Sequence, residues 1–140
     1  MTYKIQTKKK VKFRECDFTG KLNPNNIFRW FEDARISIAS KLGLLEENTF
    51  MSFVVMESSY ENYRDIYFNE KVILISELVK PVVARFEFKH EIRDARTNEL
   101  LASGKSDVAI VNHKNELILG LTKNMWKKIE MNWKGASCNM

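Results

Sequence analysis

One helical pattern followed by a series of strand patterns most constrains how this 140-residue chain can fold. From Pro24 onward, apolar residues recur at spacings of three and four, which predicts a helix of about five turns with a single apolar stripe. The stripe consists of Ile27, Phe31, Ala34, Ile38 and Leu42. Asn23 suits the N-cap, Pro24 the first helical position and Gly43 the end, so the helix is predicted to occupy the residues between them.

Strand patterns separated by polar turns fill most of the remaining sequence. The clearest is VARFEFKHEI at residues 83–92, where apolar residues and His90 alternate with charged residues. Further strands are predicted at residues 3–16, 50–60, 71–79 and 103–111, and a short helix at residues 122–134. A long early helix followed by strands with tight turns indicates an α+β fold, in which an antiparallel sheet wraps around one long central helix.

This arrangement is the hotdog fold, and we expect residues 1–140 to form a single domain of this kind. A single sheet around one helix leaves a strand edge exposed, and pairing of two such edges would cover it. We therefore expect a homodimer or a homotetramer.

The predicted first strand determines where one carboxylate should lie. Alternation along residues 3–16 places Val11, Phe13 and Glu15 on the core side, and Asp17 follows on that side at the strand end. The predicted helix begins seven residues later, at Pro24. The pattern therefore predicts a carboxylate close to the mouth of the helix.

Charge alone does not identify a partner. A net charge of +5 attracts polyanions, which include nucleic acid, anionic lipid and the phosphates of coenzyme A. The basic residues 8–14 alternate with Val11 and Phe13, so we interpret them as a solvated strand face. A nucleic-acid site would need exposed aromatic rings among the lysines, whereas Phe13 is expected to face inward. We therefore expect no nucleic-acid partner.

The sequence also bears on location. No stretch approaches the roughly 18 apolar residues that a membrane helix needs, and the first residues lack the apolar region of a secretion signal. Only Cys16 and Cys138 are cysteines, which does not suggest a disulfide framework. We expect a cytoplasmic protein with no membrane span.

Residues 11–35, VKFRECDFTGKLNPNNIFRWFEDAR, resemble the 4-hydroxybenzoyl-CoA thioesterase family of hotdog enzymes. The matching residues are Asp17, Gly20, Asn23, Phe28, Arg29, Trp30, Phe31, Glu32, Ala34 and Arg35. The resemblance implies a hydrolase that acts on acyl-CoA or acyl-carrier-protein thioesters without a cofactor. It also implies that Asp17 is the catalytic residue, as nucleophile or general base, beside a pocket between the helix start and a partner subunit.

Physical chemistry gives the same residues an independent rationale. Unpaired N–H groups at a helix start carry about half a positive charge and would stabilise negative charge that develops on an acyl oxygen. A carboxylate just upstream could attack the thioester carbon or deprotonate water. Asp17 could instead only cap its turn, but Asn23 suits the helix cap better.

The sequence departs from the family pattern near the helix start. Many relatives have His and Tyr where this chain has Lys21 and Ile27. Relatives commonly offer a backbone N–H to the thioester oxygen at the position of Pro24, which has none. We therefore expect Asn25 N–H to be the donor. The predicted substrate-binding residues are Asn23, Pro24, Asn25 and Ile27.

Other polar residues are predicted to be structural. Glu32 lies about 12 Å along the helix from Pro24, so an ion pair with Arg35 is favoured over catalysis. Cys16 is interpreted as an unreactive thiol. His90 and His113 lack partners at metal-ligand spacing, and no metal site is predicted. The alternative function is a non-catalytic acyl-thioester-binding protein with the same fold.

Overall fold

The computed structural model describes residues 2–44, 51–79, 81, 85–112 and 123–133. This part of the chain contains the strands β1 (Thr2–Lys10), β2 (Met51–Asn62), β3 (Lys71–Val79), β4 (Arg85–Asp94) and β5 (Leu100–Asn112), and the helices α1 (Pro24–Lys41) and α2 (Lys123–Trp133). The strands form an antiparallel sheet in the order β1-β3-β4-β5-β2. The predicted combination of an antiparallel sheet with a helix packed on it is confirmed.

Helix α1 has the predicted boundaries and buries the predicted stripe. All five residues of the stripe, Ile27, Phe31, Ala34, Ile38 and Leu42, are buried. The Asn23 side chain caps the start, and Gly43 follows the end with φ +74°, a conformation that glycine adopts without steric cost. Burial of this stripe against the sheet is the main reason why the segment is helical.

The face of the sheet toward α1 is built by strict alternation. Every second residue of β3 is buried, and the same holds for β4 as far as Ile92. Gly104 of β5 leaves room for the ring of Phe31, because a Cβ at Gly104 would lie only 2.5 Å from that ring. Helix α1 therefore packs closely against β5 at this point.

The first strand is shorter than predicted. β1 ends at Lys10, and Phe13–Glu15 form a short 3₁₀ helix. Val11 exchanges backbone hydrogen bonds with the distant segment of Asn69 and Glu70, and the Glu15 carboxylate accepts the Lys12 N–H, so the chain turns out of the sheet. The prediction that Phe13 faces the core is wrong, because 72% of its surface is exposed.

A second helix accompanies α1. Met125, Ile129 and Trp133 of α2 are buried, and the Trp133 ring packs against Tyr3 of β1 with 5.7 Å between ring centroids. This helix was predicted from residues 122–134. The described fold thus contains an 18-residue helix and a shorter one, and the finer description of a sheet wrapped around one long central helix stays a prediction.

No helix in the described ranges is both long and apolar enough to span a membrane. His113 and Cys138 lie outside the described residues. The extent of a single domain over residues 1–140 also stays a prediction.

Candidate active site

Asp17 lies in a tight turn between the 3₁₀ helix and α1. Its Oδ1 accepts hydrogen bonds from Thr19 N–H (2.8 Å), the Thr19 hydroxyl (2.5 Å) and Lys21 N–H (3.2 Å). Its Oδ2 accepts no hydrogen bond from the residues that the structure describes. One carboxylate oxygen therefore holds the turn, and the other is available to a substrate.

The same hydrogen bonds stabilise the charged form of the carboxylate. The Thr19 hydroxyl, followed by the backbone N–H groups of Lys21 and Thr19, lowers the pKa of Asp17 below its ordinary value of 3.8. Because even the ordinary value lies far below pH 7, Asp17 is ionised throughout the neutral range.

The backbone of the turn explains why these residues adopt it. Asp17 N–H donates to Lys21 O (2.8 Å), and Gly20 N–H donates to Asp17 O (3.0 Å). Gly20 has φ +83°, which favours glycine. The prediction that Asp17 sits at a strand end facing the core is wrong, because the chain has already left the sheet and the side chain is partly exposed.

Glu15 connects this turn to helix α1. Its backbone carbonyl accepts Asn23 N–H (2.8 Å) and the side-chain amide of Asn26 (3.0 Å). Its carboxylate accepts Lys12 N–H (2.9 Å) and the indole N–H of Trp30 (2.8 Å). These bonds determine how Asp17 is placed relative to the start of the helix.

The N–H groups at the helix start are already engaged. Pro24 has none, Asn25 N–H donates to the Asn23 side chain (2.9 Å), and the next two N–H groups, of Asn26 and Ile27, donate to the Asn23 carbonyl at 2.9 and 3.2 Å. The expected free donor at Asn25 is thus part of the helix cap. A negatively charged acyl oxygen at this position would have to displace the cap.

A cavity of about 170 Å³ lies beside Asp17. It is lined by Asp17, Lys21, Leu22, Pro24, Ile27, Tyr60, Asn62, Asp65 and Ile66. Of the predicted site residues, the cavity brings together Asp17, Pro24 and Ile27, whereas Asn23 and Asn25 are not in its lining. The helix start and the carboxylate therefore share one cavity with the end of strand β2.

The β2 side of this cavity was not predicted from the sequence. Ser58, Tyr60 and Asn62 occupy alternate positions on the core-facing side of β2. Ser58 contacts the buried Ser106, Tyr60 is half-buried, and Asn62 at the strand end is exposed. Polar residues at such positions are unusual in a strand that packs on a core, and this signal was available in the sequence.

Lys21, predicted only as a departure from the family pattern, forms an ion pair of 3.3 Å with Asp65.

A larger depression of about 460 Å³ lies away from Asp17. Its lining includes Lys4, Glu77, Lys89, Glu91 and Lys105, and no residue of the Asp17 turn or of α1 contributes to it. Strand alternation places these five charged residues on the face of the sheet opposite to the core. Size therefore does not identify the candidate site, whereas the carboxylate and the helix start do.

His90 belongs to a buried polar cluster. Its Nδ1 lies 2.7 Å from the Ser76 hydroxyl, its Nε2 lies 3.3 Å from the Ser106 hydroxyl, and its ring stacks on Phe31 at 4.1 Å. Burial, with a smaller contribution from the charge of Arg35, lowers the pKa of His90 to about 3. The imidazole is therefore neutral at ordinary pH and joins the sheet to α1.

The predicted ion pair between Glu32 and Arg35 is not formed. Arg35 instead reaches into the cluster and donates to the Ser106 hydroxyl at 2.9 Å, because its side chain lies on the half-buried face of α1. Glu32 acts on it only by Coulomb attraction, and burial lowers the pKa of Arg35. Within the described ranges, no group of three or more His, Cys, Asp or Glu side chains is arranged to hold a metal ion.

Solved structures with the same fold are numerous, at low sequence identity. A 1,4-dihydroxy-2-naphthoyl-CoA thioesterase from Synechocystis has 16% identity and a TM-score of 0.77, over 92% of this chain and 96% of that chain. A DHNA-CoA thioesterase from Staphylococcus aureus has 22% identity and a TM-score of 0.78, over 98% of both chains. A thioesterase superfamily protein from Jannaschia sp. CCS1 has 15% identity and a TM-score of 0.77, over 95% of this chain and 84% of that chain.

No curated protein sequence matches the chain. Residues 11–132 do match a family model, that of the thioesterase-like superfamily, and this range includes the Asp17 turn, α1 and all of β2 to β5. Because the match covers most of the chain, the protein belongs to the thioesterase-like superfamily.

Proposed function

We propose that this protein hydrolyses acyl thioesters of coenzyme A or of an acyl carrier protein, with Asp17 as its catalytic residue. The observation that carries the proposal is the Asp17 carboxylate, which is held by Oδ1 in a tight turn, has Oδ2 available, and lines a cavity at the start of α1. A carboxylate placed only to stabilise the turn would not need to line that cavity.

The reaction consumes one water and releases a carboxylic acid and a thiol. As nucleophile, Asp17 Oδ2 bonds to the thioester carbon, the carbon–sulfur bond breaks, and the sulfur leaves as a thiolate that is then protonated. Water hydrolyses the resulting acyl-aspartyl anhydride. As general base, Asp17 instead takes a proton from the water that attacks the thioester carbon; the carbon–sulfur bond then breaks and the leaving thiolate takes up the proton.

The charged form of Asp17 serves either role. The hydrogen bonds of the turn lower the pKa of the carboxylate, so it is ionised at neutral pH. Direct attack on the thioester carbon and removal of a proton from water both use this ionised carboxylate.

The acyl group is proposed to enter the cavity beside Ile27. Leu22, Ile66 and the ring of Tyr60 supply its other apolar walls. The solved relatives from Synechocystis and Staphylococcus aureus are described as acting on a naphthoyl-CoA and DHNA-CoA, so an aromatic acyl-CoA is one substrate class to test. The narrower 4-hydroxybenzoyl-CoA thioesterase family and the cytoplasmic location stay predictions.

The proposal is tested by release of free thiol from a panel of acyl-CoA and acyl-carrier-protein thioesters. The panel contains aliphatic acyl groups of graded length and aromatic acyl groups, each with a no-enzyme control. We expect saturable hydrolysis of at least one class. Tight binding of these thioesters without turnover would instead support the non-catalytic acyl-thioester-binding alternative.

We also propose that the protein assembles as a homodimer or homotetramer through strand β2. In the described sheet β2 is an edge strand of 12 residues, and Val54, Val55 and Met56 on it are between 40% and 50% exposed. An edge strand with exposed apolar residues is a template for pairing with another chain. Asn62 and Tyr60 on the same strand line the Asp17 cavity, so a partner at this edge would lie close to the site.

Sedimentation at micromolar concentration tests the assembly. We expect a species of at least twice the 16.5 kDa chain mass. A charge on the edge, Val55→Asp, should shift the population toward monomer, whereas Lys89→Asp on the charged outer face should not. A wild-type protein that sediments only as a monomer would refute this proposal.

A further inference from the structure

A hydrogen-bond donor to the acyl oxygen accelerates thioester hydrolysis, because that oxygen gains negative charge as the carbon is attacked. The start of α1 offers no free donor while its N–H groups are bound to Asn23. Pro24 has no N–H, Asn25 N–H is bound to the Asn23 side chain, and Asn26 and Ile27 N–H are bound to the Asn23 carbonyl. A donor on another wall of the cavity could serve the acyl oxygen while the helix cap stays intact.

Three side chains in the cavity lining carry hydrogen-bond donors: Lys21, Tyr60 and Asn62. The Lys21 ammonium is paired with Asp65 at 3.3 Å. The Tyr60 hydroxyl and the Asn62 carboxamide make no hydrogen bond to any residue in the described part of the chain. Tyr60 and Asn62 are thus the two side-chain donors of the lining that have no protein partner among the described residues.

Tyr60 and Asn62 differ in how they are placed. The Tyr60 ring packs edge-on against Phe28, with 5.3 Å between centroids, so Tyr60 is held toward the core. Asn62 is exposed at the last position of β2, and the chain continues from it to Ile66, whose carbonyl accepts Leu22 N–H at 2.7 Å. Asn62 therefore leads into the segment that pairs with the Asp17 turn.

We propose that the side-chain amide of Asn62 donates to the thioester carbonyl oxygen and stabilises the negative charge that develops on it. This inference rests on the proposed thioesterase function and adds a second catalytic residue to it. As Asp17 Oδ2 or water bonds to the carbonyl carbon, the carbonyl π electrons move to the oxygen. The Asn62 N–H stabilises this negative charge by donating a hydrogen bond to the oxygen. The oxygen then returns those electrons to re-form the carbonyl, and the carbon–sulfur bond breaks.

The test compares Asn62→Ala and Asn62→Asp with the wild type on the best substrate of the thioester panel. Asn62→Asp keeps the side-chain shape but replaces the amide donor with an acceptor. Loss of one such donor typically lowers kcat by about 10²–10³-fold, and we expect that loss in both variants with KM changed by less than about threefold. Ser59→Ala, on the opposite face of the same strand, is the matched control and should retain wild-type kcat.

A second readout separates charge stabilisation from substrate positioning. An alkyl-CoA thioether, in which a methylene replaces the carbonyl, offers no oxygen to Asn62. Its dissociation constant should be equal for the wild type and for Asn62→Ala. A tenfold weaker affinity in the variant would show that Asn62 holds the ligand in general and would overturn the proposal.

Three further outcomes would also overturn it. Asn62→Ala could retain kcat within about threefold of the wild type, or it could raise KM with kcat unchanged. Tyr60→Phe could lose activity while Asn62→Ala does not, which would assign the donor to Tyr60. In each case the wild type still hydrolyses thioesters and the proposed function stands. A wild type that hydrolyses no thioester would remove the proposed function and this inference together.

Discussion

The indole N–H of Trp30 donates to the Glu15 carboxylate across 2.8 Å, and this bond joins helix α1 to the segment that precedes Asp17. Trp30 is buried, so the acceptor satisfies a donor that water cannot reach. Glu15 also accepts Lys12 N–H and thereby closes the 3₁₀ turn. One side chain thus positions both the turn and the helix.

Glu15→Ala should lower both stability and turnover. Loss of hydrogen bonds to a charged group costs about 1.5–3 kcal/mol each when the donor is left buried, and only the Trp30 donor is deeply buried. We expect the free energy of unfolding, measured in urea, to fall by about 1–3 kcal/mol, and kcat to fall because Asp17 is less well placed. Glu87→Ala, an exposed carboxylate on the opposite sheet face, is the control. Equal stabilities of the two variants would contradict the positioning role of Glu15.

Gly104 should not tolerate a side chain. A Cβ there would lie 2.5 Å from the Phe31 ring and 2.8 Å from the backbone carbonyl of Ser59, and the backbone atom cannot rotate away. Gly104→Ala should destabilise the protein by about 1–3 kcal/mol, the usual cost of overpacking. Lys105→Ala, at the next, exposed position, should change the melting temperature little. Melting temperatures of both variants equal to that of the wild type would contradict the close contact between α1 and β5.

Stability should fall between pH 7 and pH 5 because of His90. Its folded pKa of about 3 lies well below the ordinary value of 6.5, so the unfolded chain binds a proton below pH 6.5 that the folded chain does not. Full stability is therefore present above about pH 6.5, and it falls by at most about 1.4 kcal/mol per pH unit below it. Urea unfolding over this range tests the slope, which His90→Gln should reduce. A wild-type stability that is flat from pH 7 to pH 5 would argue against a neutral, buried imidazole.

The limits of prediction from this sequence have physical causes. Helix α1 could be predicted because its cap, stripe and stop are all local. The end of β1 could not, because Val11 leaves the sheet through bonds to Asn69 and Glu70, which are distant in sequence. Alternation correctly placed His90 inward, but its partners Ser76 and Ser106 lie on neighbouring strands whose register a single sequence does not reveal.

The candidate site likewise contains residues that could be predicted from local sequence and residues that could not. Asp17, Pro24 and Ile27 were predicted from one continuous segment and line one cavity. Asn62 was missed because its role depends on which end of β2 meets the Asp17 turn, and that is a property of the sheet order. Asn25 N–H was predicted to be the free donor, but it donates to the Asn23 side chain that caps the helix.

The catalytic role of Asp17 is tested most directly by the turnover of Asp17→Asn on the best thioester of the panel. Asparagine keeps the shape of the side chain and an oxygen for the turn, but it can neither attack the thioester nor deprotonate water. Asp33→Asn, at an exposed position of α1, is the matched control. We expect Asp17→Asn to lose at least about 10²-fold in kcat while its melting temperature stays close to that of the wild type and of Asp33→Asn. A well-folded Asp17→Asn protein with wild-type kcat would contradict the catalytic role of Asp17.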